Sequence, residues 1–212
     1  MSERIVPSRF HELDWRIVRD DACTHFLTGS FAAGVELVDA IGRRAAGADL
    51  EPDVDLRSDG VTVRLSAHGT GRLTDGHVEL ARQISAAARE LDVTTDLTGL
   101  QNVQIAIDAL VIADVLPFWR AVLGYRQVDD EDLVDPFFQG PPVWFQQMDA
   151  PRPQRNRIHI DVYVPHDQAA ERVAAAIAAG GHVVSDENAP EWWTLADSEG
   201  NEVDVAPWPD RD

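Results

Sequence analysis

Apolar and polar positions follow two different periodicities in the first half of the chain. Apolar and polar side chains alternate over residues 61–67, which predicts a half-buried strand. Apolar positions at helical spacing predict one helix over residues 31–46, after the cap-like Ser30, and another over residues 78–91. With strands before and between them, these helices are predicted to cover one face of a small antiparallel sheet.

The second half of the chain shows a different order of elements, repeated twice. After the short polar segment 92–96, apolar alternation over residues 103–107 predicts a strand, and helical spacing over residues 111–123 predicts a helix, followed by strands. The same order returns with a strand over residues 157–164 and an alanine-rich helix over residues 168–179. The pattern predicts two βαβββ units in tandem.

Together the two patterns predict an α+β protein with two domains. The first domain, residues 1–93, is expected to be the small antiparallel sheet with helices, and the second, residues 98–208, the paired βαβββ units. A chain of 212 residues with 44% hydrophobic content is large and apolar enough to bury a core in each domain.

Charge and cysteine content limit the partners and the compartment. The chain carries 37 acidic and 18 basic residues, a formal charge of −19, which repels nucleic-acid phosphates and anionic membrane surfaces. The single cysteine, Cys23, excludes an internal disulfide and suggests a reducing compartment. No stretch approaches the roughly 20 apolar residues that cross a bilayer. We therefore expect a soluble cytoplasmic protein with no nucleic-acid or membrane partner.

The first candidate chemistry lies at the end of the strand over residues 61–67. His68 follows that strand beside a glycine turn, Pro52 stands sixteen positions earlier, and Arg72-Leu73-Thr74 leads into the second helix. These features resemble the pterin-4a-carbinolamine dehydratase family over roughly residues 10–92. That family's signature is His-His-Pro, a strand pair ending in Thr-His, and a Gly-Leu-Thr-x-x-Asp turn into a helix.

The departures from this signature fall on the polar residues that the resemblance would make catalytic. Leu50 and Glu51 stand where the family has two histidines, and His77 stands where it has an aspartate, so His68 is the residue retained. Each positioned acid or base typically contributes about 10²–10⁴-fold in rate. The resemblance therefore implies weakened or absent dehydration, unless Glu51 and His68 form a new acid–base pair. The structural alternative is a solvated Glu51 and a His68 that only ends a strand.

The second half carries motifs of its own. Phe118-Trp119 and Gly124-Tyr125 close the first helix of that half, and the run Asp-Ser-Glu-Gly-Asn-Glu occupies residues 197–202, between the last two strands. These motifs and the paired βαβββ order resemble the glyoxalase-like branch of the vicinal oxygen chelate superfamily over about residues 98–208. The resemblance implies paired units around a cleft, with strands one, four, five and eight each supplying one metal ligand.

Carried over position by position, the resemblance places its four ligands at Asn102, Gln146 or Gln147, His159 and Asp204. Strand alternation leaves open which glutamine faces the cleft. Amide oxygens hold divalent ions less well than the imidazole and carboxylate groups that such metals prefer. Two alternatives follow: a divalent metal on His159 and Asp204, or a cleft that binds an organic ligand without a metal.

Other side chains near this cleft have both structural and functional interpretations. His159 is a metal ligand, a base in a metal-free cleft, or a hydrogen-bonded core histidine. Trp144 and Trp193 either pack in the core, which is the usual place for indoles on strands, or line the cleft beside a flat ligand.

Three functions remain open from the sequence. The leading hypothesis is a small-molecule enzyme of lyase type in the second domain, with His159 and Asp204 as its polar centre and the amides assisting. The second is 4a-hydroxytetrahydrobiopterin dehydratase activity carried by His68 with Glu51. The third is a non-catalytic protein that binds or sequesters a small molecule. The sequence leaves both a monomer and a homodimer open for each of them.

Overall fold

The computed structural model of the chain describes residues 8–19, 21–48, 50–66, 72–151, 158 and 160–207. The chain divides into two compact units, Met1–Asn102 and Val103–Asp212. Two histidines that the sequence analysis singled out, His68 and His159, lie outside the described residues.

The first unit consists of a five-stranded antiparallel sheet and three helices. The strands are β1 Arg16–Val18, β2 Asp21–Leu27, β3 Asp53–Leu56, β4 Gly60–Leu65 and β5 Thr94–Thr95, and the helices are α1 Ser8–His11, α2 Phe31–Ala45 and α3 Asp75–Glu90. The strand order is β1-β2-β4-β3. Strand β5 pairs with the end of β2, whereas β1 pairs with its beginning. This architecture confirms the predicted small antiparallel sheet with helices.

Alternation along β4 places one face of the sheet against the long helices. Val61, Val63 and Leu65 are at most 1% exposed and share a core with Leu37 of α2 and Leu80 of α3. Removing side chains of this size from water supplies the main driving force for the packing. The half-buried strand predicted from the sequence is therefore observed.

A buried hydrogen-bond chain fixes the start of this unit to α3. The Trp15 indole N–H donates to Ser85 Oγ at 2.9 Å, and the Ser85 hydroxyl donates to the Leu13 carbonyl at 2.9 Å. Both side chains are buried, so each polar group needs the partner it has.

The sequence predicted that segment 92–96 is a polar link between the domains, but part of it forms a strand. Thr94 and Thr95 form β5 and pair with Phe26 and Leu27 of β2. Two residues are too few to show alternation, but their backbone groups complete the hydrogen bonding at the edge of β2. This segment therefore belongs to the first sheet.

The second unit contains two βαβββ repeats, as predicted. The first repeat is β6 Ile105–Ala109, α4 Ile112–Leu123, β7 Arg126–Gln127, β8 Asp132–Val134 and β9 Val143–Gln147, and the second is β10 Asp161–Val164, α5 Ala169–Ala178, β11 His182–Ser185, β12 Trp193–Ala196 and β13 Glu202–Pro207. The sheets have the orders β6-β9-β8-β7 and β10-β13-β12-β11, and in each the first strand runs parallel to the last. Strand β8 was missed in the sequence because it begins at the end of an acidic run.

Both helices of the second unit pack on one hydrophobic core. This core takes Phe118 and Trp119 from α4, Val173 from α5, Phe145 from β9 and Val205 from β13. Each sheet therefore turns one face toward the helices and the other away from them.

The face turned away from α4 and α5 is called the polar face below. In the first sheet it carries Ala106, Asp108, Trp144 and Gln146, and in the second it carries Asp161, Tyr163, Thr194 and Asp204.

Among the helices of the described ranges, none is long and apolar enough to cross a membrane.

Candidate functional site

Asp204 is held at a defined position on the polar face of the second sheet. The Thr194 hydroxyl of β12 donates to Asp204 Oδ1 at 2.6 Å, and the Asp204 N–H donates to the Ile160 carbonyl at 3.0 Å. Strand β10 places Asp161 directly beside Asp204. A short O–H···O⁻ bond is among the stronger hydrogen bonds in proteins and orients the carboxylate. Sequence reasoning missed Thr194, although its polar position between two apolar strand residues was a signal.

The two glutamines of β9 lie on opposite sides of their strand. Gln146 is exposed on the polar face, where it pairs with Asp108 of β6. The Gln147 amide instead donates to the carbonyls of Leu110 at 2.7 Å and of Met148 at 2.9 Å. The packing of Phe145 into the core decides between the alternatives that the sequence left open, because alternation then turns Gln146 outward.

The two tryptophans also separate. Trp144 is half-buried on the polar face, beside the small Ala106 of β6. Trp193 pairs with Val205 and packs against the core beneath the helices. Trp193 therefore lies on the face opposite Asp204, which is the position of a packing residue.

Two further predicted side chains lie elsewhere. Asn102 is exposed and precedes β6, outside the strand itself. Glu51 is exposed just before β3. The structure brings together Thr194, Asp204 and Asp161, whereas Gln146 and Trp144 lie on the other sheet of the second unit.

A divalent ion at the four metal positions would need imidazole or carboxylate ligands. The described side chains at those positions are the carboxylate of Asp204 and the neutral amides of Asn102 and Gln146, and His159 is outside the described ranges. Within those ranges no three His, Cys, Asp or Glu side chains form a group able to hold a metal ion. The two amides hold a divalent ion less well than the imidazole and carboxylate groups that such ions prefer.

In the first unit, His77 is buried at the start of α3. It is 2% exposed, its Nδ1 accepts from the Thr74 N–H at 3.0 Å, and its Nε2 lies 3.2 Å from the Ser66 carbonyl. Because Nδ1 accepts, the network assigns the ring proton to Nε2, which donates to Ser66. Burial lowers the pKa of His77, and the hydrogen bond to Ser66 opposes this shift.

The residues around His77 bring three separate segments together. A Cβ added at Gly76 would lie 3.3 Å from Leu50 Cδ1, so the segment that precedes β3 packs against the start of α3. The carbonyl of Ser66, which directly follows β4, is hydrogen-bonded to His77 in the same turn. The imidazole of His77 occupies the capping position three residues after Thr74. The sequence analysis noted His77 only as a departure, although its spacing from Thr74 was a signal for a cap.

Comparison with known proteins agrees with the division into two kinds of domain. The family described as Pterin 4 alpha carbinolamine dehydratase matches residues 1–87, and the family described as Glyoxalase-like domain matches residues 104–206. A putative pterin-4-alpha-carbinolamine dehydratase of Nocardia farcinica (strain IFM 10152) is 36% identical over 90 residues, which cover 42% of this chain and 95% of the relative.

Each of two solved structures matches a little less than half of the chain. A transcriptional coactivator/pterin dehydratase from Brucella melitensis is 20% identical with a TM-score of 0.36, and the match covers 41% of this chain and 99% of that one. A glyoxalase/bleomycin resistance protein/dioxygenase family enzyme from Burkholderia phytofirmans PsJN is 17% identical with a TM-score of 0.41, and the match covers 49% and 95%.

Both resemblances found in the sequence motifs are thus matched by a family, each over the half of the chain in which the motifs occur. Through its amino-terminal domain the chain belongs to the pterin-4a-carbinolamine dehydratase family, and this domain is fused to a carboxy-terminal glyoxalase-like domain.

Proposed function

We propose that the chain is a small-molecule enzyme of lyase type whose reaction takes place on the polar face of the second unit. The observation that carries this proposal is the 2.6 Å hydrogen bond from Thr194 to Asp204. It fixes one oxygen of Asp204 on a strand and so orients the carboxylate on the polar face, where it can act as a base. A base held on regular strands is positioned more closely than one on a loop.

The charged side chains limit the groups that can transfer protons. All 18 basic residues of the chain are arginines, and a guanidinium is neither a base nor an imine-forming amine near neutral pH. Lysine chemistry is therefore excluded, and the proton transfers are assigned to His159 and to Asp204, the carboxylate that Thr194 orients. Strand alternation in the sequence predicts that His159 shares a face with Asp161, two residues later.

The proposed step is an elimination. Asp204 removes a proton from a carbon beside a carbonyl group, and the electron pair of that C–H bond forms the new double bond. The leaving group departs with its own bonding pair and takes a proton from His159. Gln146 and Trp144 contribute an amide and an indole that orient a flat, carbonyl-bearing ligand.

Turnover of two probe substrates tests this proposal. The purified full chain is assayed with a β-hydroxy ketone, which loses water by the proposed elimination, and with a 4a-hydroxytetrahydropterin, in the presence and absence of added divalent metal. We expect Asp204→Asn and His159→Ala to lower kcat for the first probe by about 10²-fold or more. The exposed Asp186→Asn is the matched control, and equal rates in Asp204→Asn and Asp186→Asn would contradict the proposal.

The first unit supports a second candidate function, dehydration of a 4a-hydroxytetrahydropterin by His68 with Glu51. The observation that favours it is the meeting of the Leu50 segment, Ser66 and the start of α3, the three segments that carry the family's motif. Turnover of the pterin probe that is lost in His68→Ala and in Glu51→Gln supports this function. Equal rates in wild type and His68→Ala would remove it, and tight pterin binding without turnover would indicate a sequestering protein instead.

A further inference from the structure

The turn between β12 and β13 contains a buried carboxylate with four hydrogen-bond donors. Asp197 is 0% exposed. Its Oδ1 accepts from the backbone N–H groups of Glu199 and Asn201, both at 2.9 Å. Its Oδ2 accepts from the Trp119 indole N–H at 2.9 Å and from the Asn201 amide at 2.8 Å. The bond to Trp119 connects the turn of the second repeat to helix α4 of the first.

Glu199 of the same turn makes a second connection between the repeats. Its carboxylate accepts from the backbone N–H groups of Leu110 at 2.6 Å and of Val111 at 2.7 Å, immediately before α4. These N–H groups have no partner within the helix, and a negative charge at a helix amino terminus is stabilised by the helix dipole. The Leu110 carbonyl is held as well, because it accepts a hydrogen bond from the Gln147 amide.

These contacts lie a few residues from the side chains of the proposed reaction. Thr194 and Asp204 pair across β12 and β13, the two strands that the turn joins. Asp108 precedes Leu110 on the polar face of the first sheet. A shift of the turn would therefore move the carboxylate of Asp204 relative to Asp108 and Gln146.

We infer that Asp197 and Glu199 are positioning residues that hold the Thr194–Asp204 pair of the second repeat in register with the polar face of the first. This inference rests on the proposed function of that face. A displacement of about 1 Å in a reacting group can cost about 10²-fold in rate. Breaking the Glu199 contacts is therefore expected to lower kcat more than it raises KM, because the substrate-binding side chains remain in place.

The test uses Glu199→Ala in the full chain, with Glu199→Gln as the conservative variant and the exposed Glu187→Ala as the control of equal charge change. With the β-hydroxy ketone probe, we expect kcat to fall about 10-fold or more in Glu199→Ala and to recover in part in Glu199→Gln, whose amide oxygen still accepts one N–H. In ¹⁵N–¹H spectra of folded Glu199→Ala, the amide signals of Thr194 and Asp204 should shift relative to those of the wild type. Glu187→Ala should change neither kcat nor the amide signals of Thr194 and Asp204.

The two readouts separate this inference from the proposed function. If Asp204→Asn lowers turnover while Glu199→Ala matches wild type in rate and in the Thr194 and Asp204 signals, the positioning role is wrong and the proposed function stands. If Asp204→Asn has no effect on any probe, the proposed function fails. The amide signals then decide the positioning role without a substrate, and unchanged signals in Glu199→Ala overturn it.

Discussion

The buried imidazole of His77 provides the sharpest prediction for the first unit. In His77→Ala, the Thr74 N–H loses its acceptor and the Ser66 carbonyl loses its donor. A hydrogen bond typically contributes about 0.5–1.5 kcal/mol to stability, so the loss of both bonds should lower the free energy of unfolding by about 1–3 kcal/mol. His77→Gln should cost less, because a glutamine at this position can still accept from the Thr74 N–H.

The same residue predicts a pH dependence of known sign. Burial lowers the pKa of His77 in the folded protein below its ordinary value near 6.5. The unfolded chain therefore binds more protons between the two pKa values. The contribution of His77 to stability is complete above about pH 6.5 and declines as the pH falls toward the lowered pKa. His77→Gln should lose this part of the pH dependence.

Urea unfolding followed by circular dichroism, at intervals between about pH 7.5 and pH 5, measures both effects. The matched control is His11→Ala, which removes an exposed histidine of the same unit and should change stability by less than about 0.5 kcal/mol. Equal unfolding midpoints for His77→Ala and His11→Ala at pH 7.5 would refute the argument. So would the same pH dependence in wild type and His77→Gln.

Three further predictions concern the stability of each unit by itself, and urea unfolding measures each of them. Asp197→Asn should lower the free energy of unfolding by about 3 kcal/mol, since the new amide N–H₂ group would face donors, whereas the exposed Asp186→Asn should not. Ser85→Ala should cost about 2 kcal/mol, because the Trp15 indole and the Leu13 carbonyl lose their partner; an equal cost for the exposed Ser58→Ala would contradict this. Gly42→Ala in α2 should stabilise by about 0.5–1 kcal/mol, since the added Cβ meets nothing. Gly34→Ala in the same helix should fall short of that gain, because its Cβ would lie 2.4 Å from Leu56 Cδ1.

The periodicity of the sequence determined the elements and their class. Apolar spacing predicted the two long helices of the first unit and the two βαβββ repeats of the second, because burying one face of a strand or helix leaves a local signal. The motifs at Pro52 and around residues 197–202 identified both families. Short strands such as β5 and β8 were missed, since two or three residues do not show a period.

Tertiary structure decided which of the candidate side chains meet. Gln146 and Gln147 are equivalent by alternation, and only the burial of Phe145 under the helices turns Gln146 toward the polar face. The hydrogen bond between Trp119 and Asp197 joins residues 78 positions apart, and no local pattern specifies such a partner. The sequence alone determined the faces of its strands and helices, whereas contacts between distant segments depend on how those faces pack.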